Sequence, residues 1–236
     1  GLFGTKPGLN MRFASVFNAT SYDISGGDSL TMKVHWSPYS NTAGSLSSVT
    51  SPANELFQIG FTDSTSAEFG DGSHNGIWIG GIEKAFQNTG TPWTTTLDAN
   101  IMNESGLIAT AATNKVFNVR TIAGAAADVS WYEFEVTLTN GRGGLTFDVD
   151  VDQWEYNYTN GTQTEVDTSF LNYSGSVTTS LNLAELRPTL GYKIADSTQI
   201  SVSGSNYDGT ATTVPEPASA ILGSFGMLLL IKRRRS

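Results

Sequence analysis

The stretch WYEFEVTLTNGRGGLTFDVDVDQWE (131–155) decides the reading of the fold. In its first half Tyr132, Phe134, Val136 and Leu138 alternate with Glu133, Glu135 and Thr137. In its second half Leu145, Phe147, Val149 and Val151 alternate with Asp148, Asp150 and Asp152. A period of two puts each apolar set on one face of an extended strand and each polar set on the other. Between the halves, NGRGG (140–144) gathers residues that accept positive φ, a strong hairpin signal. The stretch therefore predicts an antiparallel hairpin from about Ser130 to Trp154, with one face for a core and one for solvent.

The same alternation recurs outside it. LTMKVHW sets Leu30, Met32, Val34 and Trp36 against Thr31, Lys33 and His35; FQIGFT offers Phe57, Ile59 and Phe61; KVFNV offers Phe117 and Val119. Turn clusters punctuate the chain at 25–28, 70–76, 88–92 and 159–162. One short helix is expected at LAELR (183–187), stopped by Pro188. Many short strands with Gly-rich turns predict an all-β, antiparallel two-sheet sandwich over residues 1–202. Residues 203–213, SGSNYDGTATT, have no apolar period and read as a flexible linker to a distinct segment, 214–236.

Composition narrows the partners. Of the 236 residues only 15% are charged, and the formal net charge is −9. Four of the 13 cations, Lys232, Arg233, Arg234 and Arg235, fall in the last five residues. The rest of the chain sets nine cations against 22 acids, a balance that repels nucleic acid and argues against it as a partner. There is no cysteine, hence no disulfide and no thiolate metal site.

The acids of the deciding stretch are the first candidates for chemistry. In a hairpin Glu133 and Glu135 share a face with Asp148, Asp150 and Asp152, and like charges facing across strands are destabilising. Either the face is simply solvated, or Glu133, Asp148, Asp150 and Asp152 converge on Ca²⁺, the one cofactor the residue types suggest. Same-face neighbours are roughly 6.6–7 Å apart along a strand, close enough for two carboxylates to meet one ion. The loop TDSTSAEFGDGSHNG (62–76) is a second oxygen-rich candidate, through Asp63 and Asp71, or else a long turn held by Asx hydrogen bonds. A glycosidase would draw on Asp148, Asp150 or Asp152, since paired carboxylates roughly 5–5.5 Å or 6.5–9.5 Å apart serve retaining and inverting hydrolysis. Four tryptophans are candidates for stacking on sugar rings: Trp78, opposed to Ile77 and Ile79 and so expected to face outward; Trp93, after Pro92 in a polar loop; and Trp131 and Trp154, flanking the acids. Neither His35 nor His74 has the spacing of a catalytic triad or a zinc site.

The terminal segment VPEPASAILGSFGMLLLIKRRRS (214–236) has its own physics. Two prolines suit a helix start, an uncharged apolar run follows, and a block of cations ends it. By length alone the run suits a buried core helix or an interfacial segment as well as a membrane span; with the flanking prolines and cations it reads as a short hydrophobic span, its basic end on the cytoplasmic side and the sandwich beyond the membrane. Val214, Pro215, Glu216 and Pro217, then the apolar span, then Lys232 to Arg235, closely resemble the PEP-CTERM sorting signal of Gram-negative bacteria. That resemblance implies an exosortase as partner, cleavage near Pro-Glu-Pro, transient tethering at the inner membrane, and a final place at the cell surface or in an exopolysaccharide or biofilm matrix. The body resembles the concanavalin A-like lectin and glucanase jelly rolls, with RPTLGYKIADSTQISVSGS (187–205) as closing strands. Glucanases of the laminarinase type carry Glu-x-Asp-x-x-Glu on a strand, where this chain has Asp148-Val-Asp150-Val-Asp152. The combined expectation is an exported, non-enzymatic matrix protein that binds carbohydrate. The alternatives are a jelly-roll glycoside hydrolase and a purely structural matrix protein.

Overall fold

The structure, a computed structural model, describes residues 11–16, 21–36, 38–40, 55–65, 75–87, 92–121, 129–157 and 160–194. Eleven strands order these residues: β1 (Met11–Val16), β2 (Ser29–Trp36), β3 (Tyr39–Ser40), β4 (Glu55–Thr62), β5 (Gly76–Gln87), β6 (Trp93–Asn103), β7 (Gly106–Thr121), β8 (Val129–Gly141), β9 (Gly144–Asn157), β10 (Thr162–Val177) and β11 (Arg187–Ile194). They form two sheets, one of seven strands in the order β1-β11-β4-β5-β6-β7-β3 and one of four in the order β10-β9-β8-β2. Every pairing is antiparallel except β3 with β7, which runs parallel over two residues. The all-β, two-sheet architecture expected from the alternation is the one observed.

The deciding hairpin is β8–β9. Its register runs without a break from Val129↔Tyr156 to Gly141↔Gly144, with Arg142 and Gly143 as the turn. Gly144 leaves the turn at φ 108°, in the left-handed region that a side chain disfavours. Tyr132, Phe134, Val136, Leu138, Phe147, Val149 and Val151 are all buried, as are Leu30, Met32, Val34 and Trp36 on β2. These side chains meet the apolar face of the larger sheet in one core. Trp36 links the two layers: its ring lies 4.7 Å from Phe57 and 5.5 Å from Phe117 on the seven-stranded sheet, and 6.1 Å from Tyr132 on its own. Burying rings of this size supplies a large share of the apolar free energy of such a core.

The short helix expected at 183–187 does not form. Leu183 and Ala184 make a turn, held by the Glu185 N–H donating to the Asn182 carbonyl (3.0 Å) and the Ala184 N–H donating to Asn182 Oδ1 (3.2 Å). Leu186 then exchanges backbone hydrogen bonds with Tyr22 and is fully buried, contacts a helix would withdraw. Pro188 lies inside β11 instead of ending a helix. Among the described residues β1 pairs with β11 from Met11↔Ile194 to Val16↔Thr189, and Pro188 stands opposite Phe61 of β4.

Among the described residues no helix is long and apolar enough to cross a membrane. Residues 203–213, expected as a linker, Val214 to Pro217, the run expected as an apolar helix and the Lys232–Arg235 block lie outside the described residues.

Candidate functional site

The four-stranded sheet buries one face and presents the other, and the cross-strand register fixes what that outer face carries. At one end Ser29, Thr139, Thr146 and Ser176 sit in a row of hydroxyls, with Ser29 and Thr139 hydrogen-bonded at 3.0 Å. The next row is Thr31, Thr137, Asp148 and Ser174, then Lys33, Glu135, Asp150 and Asn172. After these come His35, Glu133 and Asp152, and last Trp131, Trp154 and Glu165. The face thus grades from hydroxyls through carboxylates to indoles.

An open groove of about 350 Å³ crosses the middle of this face, lined by Glu135, Thr137, Asp148, Asp150, Asn172 and Ser174. Its acids are unequally served. Lys33 pairs with Glu135 at 2.8 Å and Glu133 at 3.4 Å, and His35 Nε2 lies 2.6 Å from Glu133 Oε2. The Glu135 carboxylate holds the Lys33 ammonium above its ordinary value, against the cost of its partial burial. No ion pair among the described residues reaches Asp148, Asp150 or Asp152. Asp152 Oδ1 is closed off from solvent and has no donor among the described residues. Burial first, then the charges of Asp150, Glu165 and Glu133, push the Asp152 carboxyl above the usual carboxylate range, with Lys33 opposing.

At the indole end Trp131 and Trp154 stack, ring centroids 5.2 Å apart and planes 9° from parallel. The His35 ring tilts against Trp131 at 4.5 Å. Both indoles are half-buried. The two tryptophans expected to flank the acidic face do so as a single unit.

The other candidates fall elsewhere. Trp78 does point away from Ile77 and Ile79, but it is only 4% exposed and cannot serve as an open sugar platform. Gly60 stands directly opposite it on β4, and a Cβ there would lie 2.6 Å from the Trp78 Cα and 2.9 Å from its Cβ, so the glycine lets the β5 backbone come this close. Trp93 is not in a free loop: it opens β6, packs on the core, and meets Phe86 edge-on at 6.0 Å. Asp63 is a strut. Its Oδ2 accepts the Asn182 N–H at 2.9 Å and its carbonyl accepts an Arg187 guanidinium N–H at 3.0 Å, tying the end of β4 to the start of β11. Asp71 lies outside the described residues. Among the described residues no three acid or histidine side chains stand close enough to hold one metal ion. Of the four acids expected to share calcium, Glu133 is already engaged by two bases.

Of the polar lining residues Thr137, Asn172 and Ser174 were not among the candidates read from sequence, and the last two lie on a strand the sequence did not mark. The register of β10 slips twice, between Glu165 and Asp167 and between Asp167 and Leu171. The slips break the alternation that would have marked the strand. The signal that remained is NYSGSV, where Asn172, Ser174 and Ser176 alternate with Tyr173, Gly175 and Val177.

No protein-family model matches the chain, and no curated protein matches it significantly.

Proposed function

We propose that this is a non-enzymatic carbohydrate-binding protein of the extracellular matrix, and that its ligand lies on the outer face of the four-stranded sheet. The observation that carries the reading is the Trp131–Trp154 stack beside an open groove of carboxylate, amide and hydroxyl groups. Indole faces offer apolar area and a quadrupole to the CH-rich side of a sugar, while the groove offers hydrogen-bond partners to its hydroxyls. Trp154 and Asp150 are four residues apart on one strand, roughly 13 Å, so both are reached by an oligosaccharide and not by a single ring. The two antiparallel sheets agree with the lectin-like jelly-roll kinship, which is part of this proposal. Weak contacts of this kind gain strength by repetition when many copies sit in one matrix.

The address comes from the tail. Its likeness to the PEP-CTERM signal supports export, transient tethering at the inner membrane, exosortase processing and release to the surface or matrix. Replacing Pro215, Glu216 and Pro217 by alanine in the full chain tests this part. The variant is expected to stay with the inner membrane, and release at the normal rate would overturn it.

Pull-down on insoluble polysaccharides, with and without added calcium, tests the binding. Retention lost in Trp154→Ala supports the reading, whereas no retention on any glycan sinks it. A hydrolase would use the same groove, because Asp148 and Asp150 are successive outward residues of β9 and both line it. Sugar release that disappears in Asp150→Asn would replace binding by catalysis.

A further inference from the structure

We propose that the outer face of the four-stranded sheet selects a polysaccharide that carries protonated amines, an amino-sugar polymer with free nitrogen, over neutral or anionic chains. This selectivity rests on the carbohydrate reading above and adds the charge of the ligand to it.

The charge of the face is one-sided. Six carboxylates, Glu133, Glu135, Asp148, Asp150, Asp152 and Glu165, share it with two bases, Lys33 and His35. Both bases are spent on the β8 acids, at 2.6–3.4 Å. The three β9 acids are left to one another. Among the described residues Asp148 and Asp150 look into the groove with no ion pair, and Asp152 keeps an enclosed oxygen without a donor. Burial pushes the Asp152 carboxyl up most, and the charges of Asp150, Glu165 and Glu133 add to that push while Lys33 opposes it.

Each class of ligand meets that field differently. A neutral chain strips water from the carboxylates and returns hydroxyl hydrogen bonds but no positive charge to offset theirs. An anionic chain adds like charge. An ammonium on a sugar ring donates charge-assisted hydrogen bonds to Asp148 or Asp150 and relieves their mutual repulsion. The indole stack engages a different ring of the same chain, so ring contact and charge contact do not compete for one sugar.

The test is isothermal titration of the full chain with a glucosamine hexamer and with its fully N-acetylated counterpart, at pH 6 and low salt. The glucosamine hexamer is expected to bind at least tenfold tighter. Asp150→Asn should cut the affinity of the glucosamine hexamer about fivefold more than that of the acetylated hexamer. Glu185→Gln removes the same charge from an exposed turn before β11 and should change neither. Equal affinity for the two hexamers overturns the charge selectivity while the carbohydrate reading stands. An equal loss in Glu185→Gln and Asp150→Asn overturns it too, by showing diffuse attraction to an acidic protein. Binding of neither hexamer overturns the amine selectivity, and the polysaccharide pull-down then decides separately whether any glycan binds.

Discussion

Trp131 of β8 and Trp154 of β9 stand directly opposite each other, and their rings stack within 9° of parallel on the outer face of the sheet. Trp36, on the inner face, is 2% exposed and touches aromatic rings from both sheets. The two environments separate stability from function. Trp154→Ala is expected to cost about 0.5–1.5 kcal/mol beyond its lost area, the worth of an aromatic pair. Trp36→Ala is expected to cost about 3–5 kcal/mol through the cavity it leaves. Urea denaturation of both variants checks the contrast, and equal losses would contradict it.

Asp152 gives a pH dependence of definite sign. Its carboxyl is held above its ordinary value, mainly by burial and next by neighbouring acids, so the folded state binds the proton more tightly than the unfolded chain. Stability is therefore lost as pH rises from about 3.9, the unfolded value, through the higher folded one. Asp152→Asn removes that loss. At pH 7 the variant is expected to be more stable by on the order of 0.2–1 kcal/mol, the scale of a cross-strand like-charge pair. The gain should vanish at pH 3. Thermal melts at the two pH values measure it.

Glu104 has the opposite sign. Its carboxylate accepts the Ser180 N–H at 2.7 Å, the Ser180 hydroxyl at 2.8 Å and the Thr179 hydroxyl at 3.2 Å. Burial is the largest single influence and pushes its carboxyl up, but these donors, together with its own N–H, outweigh it and leave the carboxyl below its ordinary value. Its contribution is present above about 4.3, the unfolded value, and is lost as pH falls through the lower folded one. Glu104→Gln should cost about 1–2 kcal/mol at pH 7. The difference from the parent should close in acid. The same melts that follow Asp152→Asn record it.

Gly60 admits no side chain. A Cβ there would overlap the Ile77 carbonyl and crowd the Trp78 Cβ at 2.9 Å, and both belong to the neighbouring strand's framework. Gly60→Ala is expected to cost about 3 kcal/mol or more, because backbone has to move to accept it. A loss of unfolding free energy under about 1 kcal/mol in urea denaturation would show that β4 and β5 are not packed as described.

The elements legible in the sequence were those with an uninterrupted period of two. The β8–β9 hairpin and the inward residues of β2 follow from alternation alone, because one face of each strand is buried and the other is not. Where both faces are covered, alternation loses its meaning. Residues 76–81 of β5 are buried throughout, so opposition to Ile77 and Ile79 did not make Trp78 accessible. The turn at 183–186 was misread for another reason. LAELR has helix-favouring residues, yet the pairing of Leu186 with Tyr22, 164 positions away in the chain, overrides that local preference. The site was half legible. The acids and flanking indoles are in the sequence, but the partnership of Lys33 and His35 with the β8 acids alone depends on β2 lying beside β8 and not β9.

The central claim is that the outer face of β10-β9-β8-β2 is where a glycan binds, and affinity electrophoresis through polysaccharide-containing gels tests it most directly. The full chain is expected to be retarded, and Trp131→Ala with Trp154→Ala in one chain is expected to lose the retardation while keeping a cooperative melt. Undiminished retardation of that folded double variant would contradict the claim.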